Sequence, residues 1–139
     1  MITAKNKGFT LVELMIVSVV VAILAAISIP AYNNYVLRSK RADCMGALSI
    51  AQGAMERFKA ANMTYVGADA NPPFIANVPS DGGLPYCQIA VGNLTRTTYT
   101  LTGTMVNSMA GQDNLTIDQA GNKTWGAKAC WPEGGATCN

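Results

Sequence analysis

The pattern of apolar and polar positions changes character at Pro30. From Phe9 to Ile29 nearly every position is apolar, and 13 of the 21 residues are Phe, Leu, Ile or Val. An apolar pattern with no polar face predicts a helix in hydrocarbon rather than on a protein surface. At ~1.5 Å per residue the segment is about 32 Å long, which spans a bilayer core of roughly 30 Å. Beyond Tyr32, Met45, Leu48, Ala51, Met55 and Phe58 recur at steps of three and four, while Asp43, Ser49, Gln52, Glu56, Arg57 and Lys59 hold mostly opposite positions. That periodicity predicts an amphipathic continuation of the helix to about Ala61. Pro30 lies inside it, cannot donate to the Ala26 carbonyl and crowds that turn, so a kink is expected there. Tyr32 and Tyr35 suit the interfacial zone beside a membrane.

The remaining chain reads as loop and strand. Residues 62–85 carry Pro72, Pro73, Pro79, Gly82, Gly83 and Pro85, which forbid regular structure over most of that stretch. Strands are expected at Tyr86 to Val91, Thr97 to Met105, Asn114 to Asp118 and Lys123 to Gly126. In the second, Tyr99, Leu101, Gly103 and Met105 face one way and Thr98, Thr100, Thr102 and Thr104 the other. Gln119-Ala120-Gly121-Asn122 is a turn sequence between the last two strands. The fold class is α+β: a long N-terminal helix packed on an antiparallel sheet of about four strands, whose inner face covers the amphipathic stripe.

Charge refines the division. The basic leader with Lys5 and Lys7 ends at Gly8, and Glu13 stands alone within the apolar run. The aliphatic residues and Phe9 contribute roughly −4 to −8 kcal/mol to insertion, against about +2.5 to +3.5 for an acidic residue at the helix centre. Glu13 lies only about 6 Å along from Phe9, near one interface, so insertion wins. An intramembrane carboxylate marks a functional site by default.

The stretch GFTLVELMIVSVVVAILAAISIPAYNNYVLRSK, Gly8 to Lys40, resembles the N-terminal signature of the type IV pilins. The resemblance implies the type IV pilin fold, cleavage between Gly8 and Phe9 by a prepilin peptidase, N-methylation of Phe9 and polymerisation through the helix. It makes Glu13, with Thr10 of the same motif, the assembly residues. Glu13 of one subunit would pair with the Phe9 amine of its neighbour; the competing arrangement is an i,i+4 contact within one chain. Ala22 stands where many members carry glycine, in a region linked to helix melting in assembled pili. The expected organisation is a leader at 1–8, an assembly helix at 9–29, its amphipathic half at 30–61, and a head domain at 62–139 comprising loop, sheet and C-terminal disulfide loop. Segments TYTLTGTM, LTIDQAGNKTW and AKACW are similar to minor pilins of the PilE-like kind.

Cys44, Cys87, Cys130 and Cys138 allow three pairings. The short separation favours Cys130 with Cys138, which leaves Cys44 with Cys87, and the C-terminal pair also resembles the disulfide-bounded loop of pilins. Zinc is disfavoured, because there is no Cys-x2-Cys pair and no histidine. Paired cysteines place residues 42–139 outside the cytosol. The implied route is the inner membrane, with the head in the periplasm, and then an extracellular filament.

The absence of histidine removes the commonest general base. There is no nucleophile elbow, phosphate loop or paired-carboxylate site, so neither an enzyme nor a cofactor is expected. The expected partners are other pilin subunits and the prepilin peptidase, in a pilus serving adhesion, twitching motility or DNA uptake. Residues 42–139 hold five basic and seven acidic side chains. That balance argues against a strong grip on nucleic acid, although a local patch is compatible with it. A DNA-uptake pilin therefore ranks behind a structural pilin, as does a type II secretion pseudopilin. An ordinary secretory signal cleaved near Ser28, or a plain anchor, leaves Gly8 and Glu13 without a role.

Overall fold

A computed structural model describes residues 8–132 and residue 138. The leader, apart from Gly8, lies outside the described residues, as do 133–137 of the C-terminal loop. Contacts divide the chain into two units, one ending at Val36 and the other starting at Leu37.

Helix α1 runs Leu11–Asn62 without interruption at Pro30. It starts two residues later than the expected Phe9 because Thr10 acts as its cap. Thr10 Oγ1 accepts the Glu13 amide N–H at 3.2 Å, and the Thr10 carbonyl accepts that of Leu14 at 3.2 Å. Thr-x-x-Glu is the sequence of a capping box. At the other end, Met63 adopts a left-handed φ of 59° and its N–H reaches the Lys59 carbonyl at 2.7 Å. In the first unit the helix is long and apolar enough to cross a membrane, and its large apolar side chains from Phe9 to Ile29 are all exposed.

The second unit holds the core. Strands β1 (Asn77–Val78), β2 (Cys87–Gly92), β3 (Thr100–Met105), β4 (Leu115–Asp118) and β5 (Lys123–Trp125) form one antiparallel sheet in sequence order. The sheet has five strands rather than about four. The added one, β1, lies within the proline-rich connection, where Asn77 and Val78 pair with Gln88 and Cys87. Two residues ending at a proline carry no readable alternation, which is why that strand was hidden.

Registration places Ile89, Gly103, Leu115 and Trp125 in one row across β2 to β5. The row is buried with Leu101, Met105 and Ile117 against Cys44, Leu48, Ala51 and Met55 of α1. Each large side chain so buried contributes on the order of 1.5–3 kcal/mol. The expected apolar stripe is thus the buried face of the helix, with Met45 and Phe58 half-buried at its margins. The threonines of β3 alternate to the other face, and Thr116 and Thr124 hydroxyls meet at 2.6 Å across β4 and β5. Asp118 organises the Gln119–Asn122 turn, its carboxylate accepting from the amides of Ala120 and Asn122 and from the Asn122 side chain. These bonds hold the Asp118 carboxyl below its ordinary pKa, against the opposing effect of burial.

Candidate functional site

Two groups of residues are candidates, one in each unit. In the first, Gly8, Phe9, Thr10 and Glu13 line one open concavity at the start of α1. Phe9 is exposed, as are Gly8, Thr10 and Glu13. Thr10 serves the helix as its cap, accepting the Glu13 amide rather than engaging the Glu13 carboxylate, and Glu13 is exposed. Ala22 and Pro30 are exposed positions within the continuous helix.

In the second unit both disulfides are formed, Cys44–Cys87 and Cys130–Cys138, with Cα atoms 5.9 and 5.8 Å apart. The first ties α1 to β2 across the long connection. Close to the second lies a group of cations and indoles. Lys123 Nζ is 4.7 Å from the Trp131 ring centroid, and Lys128 Nζ is 4.4 Å from that of Trp125. Contacts of this kind stabilise a cation by roughly 0.5–2 kcal/mol. Trp131 is buried and donates its indole N–H to the Thr116 carbonyl at 2.9 Å. Lys128 is positioned by backbone: Trp125 and Lys128 exchange amide bonds of 2.9 and 3.0 Å around Gly126, whose φ is +56°. A side chain at Gly126 would also strike Asp113, because a Cβ there lies 2.8 Å from its carboxyl carbon.

Arg41 reaches the same place from α1. It is buried, its Nη2 donates to Gln112 Oε1 at 3.1 Å, and its guanidinium carbon sits 4.5 Å from the Trp125 ring centroid. Burial, then the neighbouring charge of Arg38, lowers its pKa, and Asp113 opposes that shift. The sequence analysis gave Arg41 no role. The signal was present, since Leu37, Arg41, Cys44 and Leu48 follow one another at steps of four and three on the stripe that faces the sheet.

A third group fastens helix, loop and sheet. Glu56 Oε1 accepts from the hydroxyls of Tyr65 at 2.8 Å and Tyr99 at 3.0 Å, and the two rings meet edge to face at 4.6 Å. This group was also missed, because Tyr65 falls in a stretch without periodicity.

A family model described as "Type IV minor pilin ComP, DNA uptake sequence receptor" matches residues 30–118. The chain belongs to that family. A second model, "Prokaryotic N-terminal methylation motif", matches residues 3–29 of this pilin. The type IV major fimbrial protein FimA of Dichelobacter nodosus is 48% identical over 70 residues, 48% of this chain and 41% of that protein. Fimbrial protein EcpC of Eikenella corrodens is 43% identical over 58 residues, 42% of this chain and 38% of its own. Fimbrial protein Q of Moraxella bovis is 35% identical over 95 residues, 56% of this chain and 60% of its own. The match thus spans less than two thirds of the length of these relatives. The pilin is a structural, non-enzymatic subunit, with its methylation motif on an N-terminal apolar helix.

Proposed function

We propose that this pilin is cleaved after Gly8, methylated on Phe9 and carried in a type IV pilus as a minor subunit whose head holds DNA. Residues 9–29 anchor it in the inner membrane with the head in the periplasm, and then join the filament. There Glu13 meets the Phe9 amine of a neighbouring subunit, a pairing that offsets the cost of placing a carboxylate in an apolar core. The observation that carries the DNA reading is the placement of Lys123 and Lys128 over two indoles beside the C-terminal disulfide. The family description for residues 30–118 supports it. A domain with a slight acidic excess can still grip phosphates, because the interaction is local: the Debye length is about 8 Å at physiological salt. On this reading the net charge of the head does not decide the partner.

The test is a mobility shift of the mature full chain in detergent micelles with duplex DNA across a salt series. A Lys123→Gln, Lys128→Gln double variant removes up to two phosphate contacts, so the slope of log affinity against log salt becomes shallower by about 1.8. An unchanged slope and affinity contradict a role for these lysines. No shift at low salt with the parent chain contradicts DNA binding altogether.

A further inference from the structure

Strand β1 is one edge of the sheet. The carbonyls of Ala76 and Val78 accept from Ile89 and Tyr86 of the neighbouring chain segment at 2.7 and 2.8 Å. Main-chain groups of successive strand residues turn to opposite edges, so the N–H and C=O of Asn77 between them point away from β2. At the opposite edge the outward groups of Trp125 are taken by Lys128. An open edge of this kind is a template for another strand. Beside it lies a cavity of about 170 Å³, walled by Ala47 and Ile50 of α1, Phe74 and Ile75 of the connection, and Asn77 and Val78 of β1. The Asn77 side chain is engaged with Gln88, whose Nε2 donates to Asn77 Oδ1 at 3.2 Å. An apolar cavity of about 150 Å³ holds a benzene ring, so this one has room for a single branched or aromatic side chain. Ile50 and Ile75 are 71% and 64% exposed, which makes the wall accessible from outside.

One end of the cavity is acidic. Asp43 precedes Ala47 by one turn of α1, and Asp81 follows Ser80, which also borders the cavity. Both carboxylates act on the same phenol, Tyr86, whose hydroxyl donates to Asp43 Oδ2 at 2.8 Å. The cation there is Lys40, 5.5 Å from the Tyr86 centroid, with its Nζ donating to Ser108 Oγ at 2.9 Å. Two carboxylates against one ammonium leave negative charge. Two copies meeting at this edge would bring those carboxylates together, whereas a basic partner is attracted.

We infer that the β1 edge and its cavity receive an extended basic segment of another protein, which adds to the sheet at Asn77 and seats one apolar side chain. In strand addition the main-chain bonds supply affinity and the pocket supplies selectivity. Pro79 has no N–H to offer, so the edge ends there and the bound segment is short. A basic residue two positions from the anchor lies on the same face of the segment and faces the acidic end.

The experiment is isothermal titration of the mature full chain, in detergent micelles and without DNA, with the capped pentapeptide Lys-Thr-Phe-Thr-Lys. Binding is expected, and alanine in place of the phenylalanine weakens it at least about tenfold. Glutamate in place of both lysines weakens it by a few-fold. Only alternate amides of a paired strand face the edge, so N-methylation at the phenylalanine and at the threonine after it must differ. One methylated peptide binds like the parent peptide, and the other loses about tenfold or more. Ile50→Gln and Ile75→Ser, at exposed positions that leave the core intact, each lower affinity for the parent peptide. The inference is overturned if the pentapeptide does not bind, if the alanine peptide binds equally well, or if the two methylated peptides behave alike. Self-association of the chain that both variants abolish would assign the edge to a second copy instead. The DNA reading is independent of this surface and keeps its own test.

Discussion

Gly103 lies against Cys44: a Cβ built on Gly103 would come within 2.8 Å of Cys44 Sγ, and within 3.1 and 3.2 Å of Leu48 Cδ1 and Cys87 Sγ. The inward position at the centre of β3 therefore has no room for a side chain, because the disulfide and Leu48 occupy it. The sulfur is held by its bond to Cys87 and cannot rotate away.

Gly103→Ala should destabilise the chain by about 1–3 kcal/mol, the usual cost of overpacking a filled core. Thermal melts of the full chain in micelles would show a lowered Tm. An unchanged Tm would mean that α1 shifts freely against β3, contrary to the packing described.

Removing the Cys44–Cys87 bridge with a double alanine variant should cost roughly 3–4 kcal/mol by the loop-entropy relation for a sequence separation of 43. Denaturant titration with and without reductant checks this. Equal midpoints for parent and variant under oxidising conditions would show that the bridge contributes nothing.

The Glu56 group makes stability sensitive to alkali. Burial, then the hydrogen bond to Glu56, pushes the Tyr65 phenol up to about 12, and the same causes raise Tyr99 further. Burial and Asp43 push Tyr86, whose hydroxyl donates to Asp43 Oδ2 at 2.8 Å, to about 12 as well. A phenol raised in the folded state holds its proton more tightly than in the unfolded chain. Its contribution is complete below the unfolded value of about 10 and is lost as pH rises through the folded value. Unfolding free energy should therefore be insensitive to these groups up to about pH 10 and fall between about 10 and 12. Tyr65→Phe combined with Tyr99→Phe should flatten that decline, as read from denaturant midpoints together with phenolate absorbance. A decline as steep in the double variant would assign it elsewhere.

Glu13→Ala should lower filament yield by at least about an order of magnitude, in keeping with the cost of truncating one member of a buried charge pair. Cleavage after Gly8 should continue, since that bond lies outside the Thr10 cap and the helix. Sheared-filament yield and the mass of the membrane form separate the two effects. Normal filaments in this variant would contradict the Glu13–Phe9 pairing between subunits.

Most of the fold was legible because its signals are periodic. The stripe from Met45 to Phe58 identified the buried face of α1, and the alternation from Tyr99 to Met105 gave both the strand and its inner face. The interactions that the sequence concealed depend on partners far along the chain. Arg41 occupies a stripe position yet carries a charge, so its inward orientation becomes intelligible only once Trp125 lies over it. Tyr65 and Tyr99 are 34 positions apart and meet only because Glu56 joins them. The Lys123–Trp131 and Lys128–Trp125 contacts require the β5 hairpin and the C-terminal bridge. Net charge, averaged over the head, hid the approach of Arg41 and Lys128 to Trp125.

The central claim, a processed minor subunit of a pilus, is tested most directly by quantitative intact-mass spectrometry of filaments sheared from producing cells. The predicted result is a species lacking residues 1–8, carrying one methyl group and four fewer hydrogens for its two disulfides, at a small fraction of the major pilin. Full-length chain confined to the membrane, or a product cleaved near Ser28, would contradict it.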